Sequence, residues 1–442
     1  MTVITKEKKS QISLEAIIED YALDVVPKNA RISTISLVAI FLGMAASAYY
    51  LLLGGLVVYM VGFTNGLISM VVSALLNTVF AILGAYIGFK EGLSSDLSSR
   101  FYGFGKLGSA ITSCIYGFIF IGFLSIESAI LQQTLSAYFP LSKPALYIIL
   151  TLMWILFVIF GVRQVSLLNK VALPFFIVLF ILMLASTGKP LSWDSLVSFQ
   201  GGVIPGSTAS AISIGLSTLG LSFFLADYTR FAKTARSAIL VALSFALPCF
   251  LVVPLIGALL AVSFCSPTPG VYFVTAGGVI GVVAMMLSQV KIQAINSYSA
   301  SLALSNLFAA SINFKPGRLF WVIIANIIGG GLLFLNLFDQ LPFFIEIAGM
   351  VSTAWATILC ADYYLVRGPL RLAPKKIYNF EKVPPVNIAG VLSMIAASIL
   401  SWILKPLLQI PALTAIPFGA LLYVGGSFLR SRIAAKNYPC KT

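Results

Sequence analysis

No histidine occurs anywhere in the 442 residues, and charge is scarce: 28 Lys and Arg with 14 Asp and Glu, 10% of the chain. The first absence removes His-based catalytic triads, His-ligated zinc or haem, and the commonest proton shuttle. The second removes the water-soluble enzyme, because ordinary soluble domains carry charge on about 25% of their residues. The five cysteines, at 114, 249, 265, 360 and 440, form no CxxC pair and read as small buried thiols rather than as a disulfide framework or a metal site. There is no GxxxxGK[ST] phosphate loop, and no interval is long and polar enough for a second soluble domain, so transport driven by a domain of its own that binds ATP is not expected. What the chain has in excess is apolar surface: 59% hydrophobic residues and a mean hydropathy of +1.01. Those figures also exclude a disordered or fibrous chain. The composition describes an all-α polytopic membrane protein in which any intramembrane proton chemistry falls to carboxylates or lysine.

A spanning helix needs about 20 mostly apolar residues. Twelve such stretches are expected, at 34–59, 64–89, 109–136, 144–161, 166–187, 208–231, 237–264, 277–306, 319–338, 343–365, 386–404 and 412–429. The N-terminal MTVITKEKKSQ has no apolar core of a signal peptide, so the first run is expected to stay as a span. With the N-terminus inside, 24 Lys and Arg fall in cytoplasmic segments and three, Lys143, Lys189 and Lys405, on the other side. That asymmetry places both termini in the cytoplasm and the protein in the cytoplasmic membrane. It also explains the net charge of +14 as topology and contact with anionic headgroups, not as a nucleic-acid footprint. The spacing of Gly84 and Gly88, and the glycines at 329–331, are expected to let helices approach closely.

Charge deep in a bilayer costs about 2.5–3.5 kcal/mol per residue on the insertion scale, so intramembrane charges are functional candidates. Glu127 sits mid-span in FIFIGFLSIESAI, and Lys291 mid-span in MMLSQVKIQAINSYSAS. They read either as a structural ion pair joining spans three and eight or as a coupling pair along the transport route. Glu346 lies close to an outer surface. Asp227 and Asp362 each end a span in an ADY triplet followed by Arg, and Asp227 with Arg230 reads as a lock on a helix end. Gln289, Gln293 and Asn296 recur at helical spacing in span eight, with Gln293 and Ser297 on one face. Such a stripe either bonds an uncharged polar ligand or glues helices together. Spans one and six carry small residues at mid-depth, Gly43 in FLGMAASAYYLLLGG and Ser217 with Thr218 in GLSTLGLSFF. Paired weak helices in the two halves point to the binding site of an inverted-repeat transporter.

The stretch ADYTRFAKTARSAILVA (226–242) resembles the end of helix six in bacterial cytosine permeases. VPKNARIS, SRFYGFGKLGS, SYSASLALSNL, ADYYLVRG and VNIAG are similar to the same family, in order along essentially the whole chain. The resemblance is to the nucleobase–cation symporter-1 family. It implies twelve helices, the first ten forming two inverted five-helix repeats of the leucine-transporter type. Those repeats fall on 34–187 and 208–365, with a cytoplasmic tail at 1–33, two further helices in 386–429 and a second tail at 430–442. Ligand and cation sites in that family lie between helices one, three, six and eight. By the resemblance, Gly43 matches the glycine at the helix-one break, and Ser217 and Thr218 fall at the helix-six break. The family's Gln and Trp in helix three fall on Phe120 and Phe123, where Phe123 still offers a face for a flat ring and Glu127 a different hydrogen-bond partner. Sodium-coupled relatives place two hydroxyl residues before an Asn in helix eight. Here the corresponding run is Lys291, Ile292, Gln293.

The expectation is therefore a secondary transporter, not an enzyme, that imports a nucleobase or related flat heterocycle by alternating access. It is expected to be sodium-independent, with or without protons, and to need no cofactor, metal or obligate protein partner. The substrate would meet Gly43, Phe120, Phe123, Ser217, Thr218, Gln293 and Ser297, with Lys291 and Glu127 handling protons. A hydroxymethylpyrimidine or hydantoin-like ring on the same fold stays open. From another class so does an ion channel, against which stands the lack of repeated charge rings or filter sequences.

Overall fold

Backbone N–H and C=O groups find no water in lipid, and a chain this apolar resolves that by forming helices. The computed structural model describes residues 21, 23–45, 47–186, 192–374 and 383–437. Among them, a lone parallel bridge between Ile32 and Ala232 is the only strand-type pairing. The helices are α1 (Thr34–Met44), α2 (Ala48–Glu91), α3 (Ser95–Phe101), α4 (Lys106–Leu135), α5 (Lys143–Ser186), α6 (Trp193–Val197), α7 (Thr208–Gly215) and α8 (Ala226–Thr229). They continue as α9 (Ala235–Leu247), α10 (Val253–Ser263), α11 (Pro269–Ser311), α12 (Arg318–Phe334), α13 (Leu341–Cys360), α14 (Ile388–Ile403), α15 (Lys405–Leu408) and α16 (Pro411–Asn437). Among the described residues seven segments are long and apolar enough to cross a membrane, among them 106–135, 208–229 and 235–263, and shorter apolar helices fill the intervals between them.

Three helices are too long for one crossing. At 1.5 Å per residue, the 44 residues of α2 would reach about 66 Å, twice a hydrocarbon slab of about 30 Å. It turns at Gly62, where φ is 80°, between the expected spans one and two. A side chain is strained at that angle, and one there would also meet the carbonyls of Phe199 and Gln200. The 43 residues of α11 turn likewise at Gly278, with φ of 52°. Spans four and five both fall within α5, whose 44 residues carry one continuous helical assignment. Arg163 and Lys170, counted toward the orientation, lie there among side chains outside the described residues, as do most of the N-terminal tail and the last five residues.

Two helices are interrupted at mid-depth. The first break separates α1 from α2, and Ser47 caps the new helix by accepting from the Tyr49 N–H at 3.1 Å. The second separates α7 from a 3-10 turn at Gly220–Leu225 that leads into α8. Asn77 of α2 repairs part of that break: its amide donates to the Gly215 carbonyl at 3.1 Å, and its oxygen accepts from Ser222 at 3.0 Å. Broken helices are tolerated at such depth only inside protein or against a cavity.

The most extensive helix pair is α4 with α11, while α2 lies against α7, α9 and α10. Of the glycines expected to bring helices together, Gly84, Gly88, Gly329 and Gly330 do so, while Gly331 meets open space. A Cβ on Gly84 would sit 2.9 Å from the Phe223 ring and one on Gly88 2.5 Å from the Ala226 Cα, so α2 meets the second break at backbone distance. Gly329 does the same for α12 against Leu124. Helices α14 and α16 pack on each other and on α13, and expose Ile388, Leu392 and Leu421 as a lipid-facing surface does.

Candidate functional site

The two breaks face each other across α4 and α11. Between them lies a narrow slot with about 30 Å³ of free space, enough for a water or two, so a ligand the size of a ring requires its walls to part. Its apolar walls include Tyr49 and Tyr50 from the start of α2, Phe120 and Phe123 from α4, and Phe224 from the second break. The rings meet edge to face: Tyr49 on Phe123 at 5.2 Å and Phe120 on Phe224 at 6.0 Å between centroids. Phe344 backs Phe123 at 5.9 Å. A planar ligand finds aromatic faces and edges here with few rotatable bonds to freeze.

The polar groups of the slot are few, and three of them lack partners. Glu127, 1% exposed, accepts a hydrogen bond on Oε1 from the Ser47 hydroxyl at the first break, and its Oε2 is buried without a partner. Gln289 lies beside that carboxylate, outside hydrogen-bond geometry, with both amide atoms unpartnered. The Thr218 hydroxyl at the second break and the Asn296 side-chain amide of α11 are likewise buried and unpartnered. Each such group costs about 1–3 kcal/mol while unsatisfied, which a ligand of matching shape would recover.

Lys291 stands apart from this slot. It is 6% exposed, and its Nζ donates to the Ala39 carbonyl of α1 at 3.0 Å. The space it occupies is the space Gly43 leaves: a Cβ on that glycine would collide with Nζ. Glu127 and Lys291 therefore do not form the ion pair that their shared depth suggested. Each is held by a different side of the first break, Ser47 for the acid and Ala39 for the base.

Of the other residues singled out in the sequence, Phe120, Phe123 and Thr218 line the slot. Gly43 lies in the last turn of α1, just before the break. Ser217 is next to the slot but bonded to the Tyr49 hydroxyl at 3.0 Å. Gln293 and Ser297 are not among the residues that line the slot, although the Gln293 Oε1 is buried without a partner. Gln293 donates to the Leu124 carbonyl at 3.0 Å and to Ser128 at 2.7 Å, fastening α11 to α4. Ser297 accepts from Asn326 of α12 at 3.0 Å. The α11 stripe splits by rotation: one turn of it glues helices, while Asn296, adjacent to Ser297, faces the slot. Tyr49 and Tyr50 were also passed over, although the two tyrosines directly after a small-residue break were the available signal. Glu346 bonds Lys405 near the surface. Among the described residues no group of three or more His, Cys, Asp or Glu could hold a metal.

Comparison with known proteins places this geometry. Residues 25–412 match the family model described as permease for cytosine/purines, uracil, thiamine, allantoin. The cytosine permease of Escherichia coli strain K12 is 26% identical over 228 residues, 49% of this chain and 52% of that protein. The chain thus spans about half the length of the curated relatives it matches. Among solved structures, the inward-facing conformation of Mhp1 superposes with a TM-score of 0.73 at 17% identity, covering 93% of each chain. Mhp1, a nucleobase-cation-symport-1 family transporter, in a closed conformation with bromovinylhydantoin bound gives 0.66 at 14% identity, over 96% of this chain and 98% of that one. A sodium-coupled sialic acid symporter gives 0.60 at 12% identity, over 90% and 89%. At these identities the structures establish a shared transporter fold.

Proposed function

The chain belongs to the family of permeases for cytosine and purines, uracil, thiamine and allantoin, a family of membrane transporters and not of enzymes, and from that premise we propose that it imports a nucleobase or related flat heterocycle across the cytoplasmic membrane. Transport would run by alternating access, with both termini in the cytoplasm. The moving parts would be two inverted repeats, 34–187 and 208–365. The observation that carries the substrate reading is the slot between the breaks: aromatic walls, with the unpartnered Oε2 of Glu127, the Thr218 hydroxyl and the Asn296 amide set among them. A flat ring with both hydrogen-bond donors and acceptors suits that inventory, donating to Glu127 and accepting from Asn296.

Coupling is read from Lys291. Sodium needs oxygen ligands, and the position beside the α1 break is filled by an ammonium bonded to Ala39. A tethered cation there would replace a sodium ion permanently, so uptake would be sodium-independent. Lys291 and Glu127 are the groups placed to exchange protons with the transport cycle. The test is uptake of labelled nucleobases into vesicles holding the purified protein. Saturable uptake that is equal with and without sodium, and stimulated by counterflow, is the expected result. Strict sodium dependence would overturn the coupling reading. Uptake of a hydantoin but of no nucleobase would move the substrate to the ring type bound by Mhp1.

A further inference from the structure

We propose that Asp96, far from the substrate slot, is a proton-binding site that fastens the helix ends on the Lys- and Arg-rich side of the membrane, holding a proton while they are closed and releasing it to water when they part.

Asp96 lies on α3, the short helix between α2 and α4, and is 2% exposed. One carboxyl oxygen accepts from the Ser113 hydroxyl of α4 at 2.6 Å. The other is buried and has no partner. Ser113 belongs to a chain of contacts that runs on through Asn306 of α11, whose amide donates to Ser113 at 2.8 Å and to Ser109 at 3.3 Å. One residue back, Ser95 ties α3 to Asp227, giving its N–H at 2.7 Å and its hydroxyl at 2.6 Å to the same carboxylate oxygen. Tyr116 of α4 donates to the other oxygen of Asp227 at 3.2 Å. The Asp96 carboxyl thus sits where α3, α4, α11 and the end of α8 converge.

Among the described residues no cation pairs with it. Arg100, on the same helix, donates to the Asn306 oxygen. Arg230, at the end of α8, is spent on the Asp227 carbonyl, the Tyr21 carbonyl and the Tyr298 hydroxyl of α11. From α2, Glu91 accepts from Tyr363. Tyr116 is committed to Asp227. The charge that does reach Asp96 is that of Asp227, of the same sign. Burial, with Asp227 beside it and only the Ser113 hydroxyl opposing, holds the Asp96 carboxyl well above the usual carboxylate range. A proton on the unpartnered oxygen removes the conflict. Opening the junction wets the group, the O–H bond breaks, and the proton passes to water on that side.

The sign of the stability effect follows. A carboxyl whose affinity for protons is higher in the folded state stabilises fully while protonated, and that contribution is lost as pH rises through its folded titration. The full-length protein in detergent, without substrate, should therefore melt at progressively lower temperature from mildly acidic to mildly alkaline pH. Asp96→Asn, a neutral mimic of the protonated form, should flatten that slope and melt above wild type at the alkaline end. An Asn variant with the wild-type slope overturns the proposal. Should that variant fail to fold, Ser113→Ala removes the one group favouring the charged form, and the loss of stability should continue to higher pH before it levels off. An unchanged profile there also overturns it. Because neither measurement uses substrate, failure here leaves the transport reading standing, and failure of nucleobase uptake leaves this one standing.

Discussion

The membrane midplane and the junction around α3 are equally buried and equally polar, yet they treat their polar groups in opposite ways. Around α3 the carboxylates are saturated. Asp227 takes the N–H and hydroxyl of Ser95 at one end of the helix, and Asp362 takes the Gly103 N–H just past the other end together with Arg367, each at 2.9 Å. Trp355 adds a bond to Ser99 at 2.8 Å. The two ADY triplets, which end their segments more than a hundred residues apart, are thus the two jaws of one clamp. At the midplane, Glu127, Gln289, Thr218 and Asn296 each leave atoms unsatisfied. Saturated polar groups hold a structure together, while unsatisfied ones are kept at a cost that only a ligand or a second conformation offsets. Asp96, the Ser98 hydroxyl and the Arg100 Nε each leave a buried atom unmet in this region, and of the three only the Asp96 oxygen is an acceptor that a proton would satisfy.

The contrast breaks first at the clamp. Asp362→Ala strips Arg367 of its buried partner and leaves the Gly103 N–H unmet, and breaking such a pair costs about 3–5 kcal/mol. Unfolding in detergent should report a loss of that order. A loss below about 1 kcal/mol would mean that the clamp is ornamental, because surface pairs deliver no more than that. The midplane should respond with the opposite sign. Lys291→Met removes a buried charge that is bonded to the Ala39 carbonyl, and replacing a buried charge with a packed apolar group is often neutral or stabilising. Stability should hold or rise while uptake falls by about tenfold or more, the equivalent of about 1.4 kcal/mol in the transport cycle. Wild-type uptake by that variant would demote Lys291 to a structural role.

Most of the fold was legible because it is written in hydropathy. The helices follow the apolar runs, and the turn between spans one and two falls on Gly62, in the interval left between 34–59 and 64–89. The site was legible in part. Glu127, Phe120, Phe123 and Thr218 stand out by depth or by position at a break, and they do line one slot. The pairing of Glu127 with Lys291 was not readable, since depth along the membrane says nothing about azimuth around the bundle. The α3 clamp was hidden for a related reason. Asp227 and Asp362 are visible as ADY triplets, but that both reach the same seven-residue helix depends on packing among four elements.

Rotation about α11 sets the smallest and sharpest test. The polar stripe seen in the sequence offers Gln293 and Ser297 as ligand groups, yet the Gln293 amide nitrogen and Ser297 bond neighbouring helices, and it is Asn296 that faces the slot. Gln293→Ala should lower stability by about 1 kcal/mol through its lost bonds to Leu124 and Ser128, and leave substrate affinity where it was. Asn296→Ala should do the reverse. It removes an amide that has no protein partner, so the fold loses little, while affinity drops by about fivefold if the amide meets a ligand carbonyl. Thermal unfolding with and without the transported ring, run on both variants, separates the two effects within one turn of one helix. An affinity loss confined to Gln293→Ala would reverse the assignment and rotate the substrate toward α4.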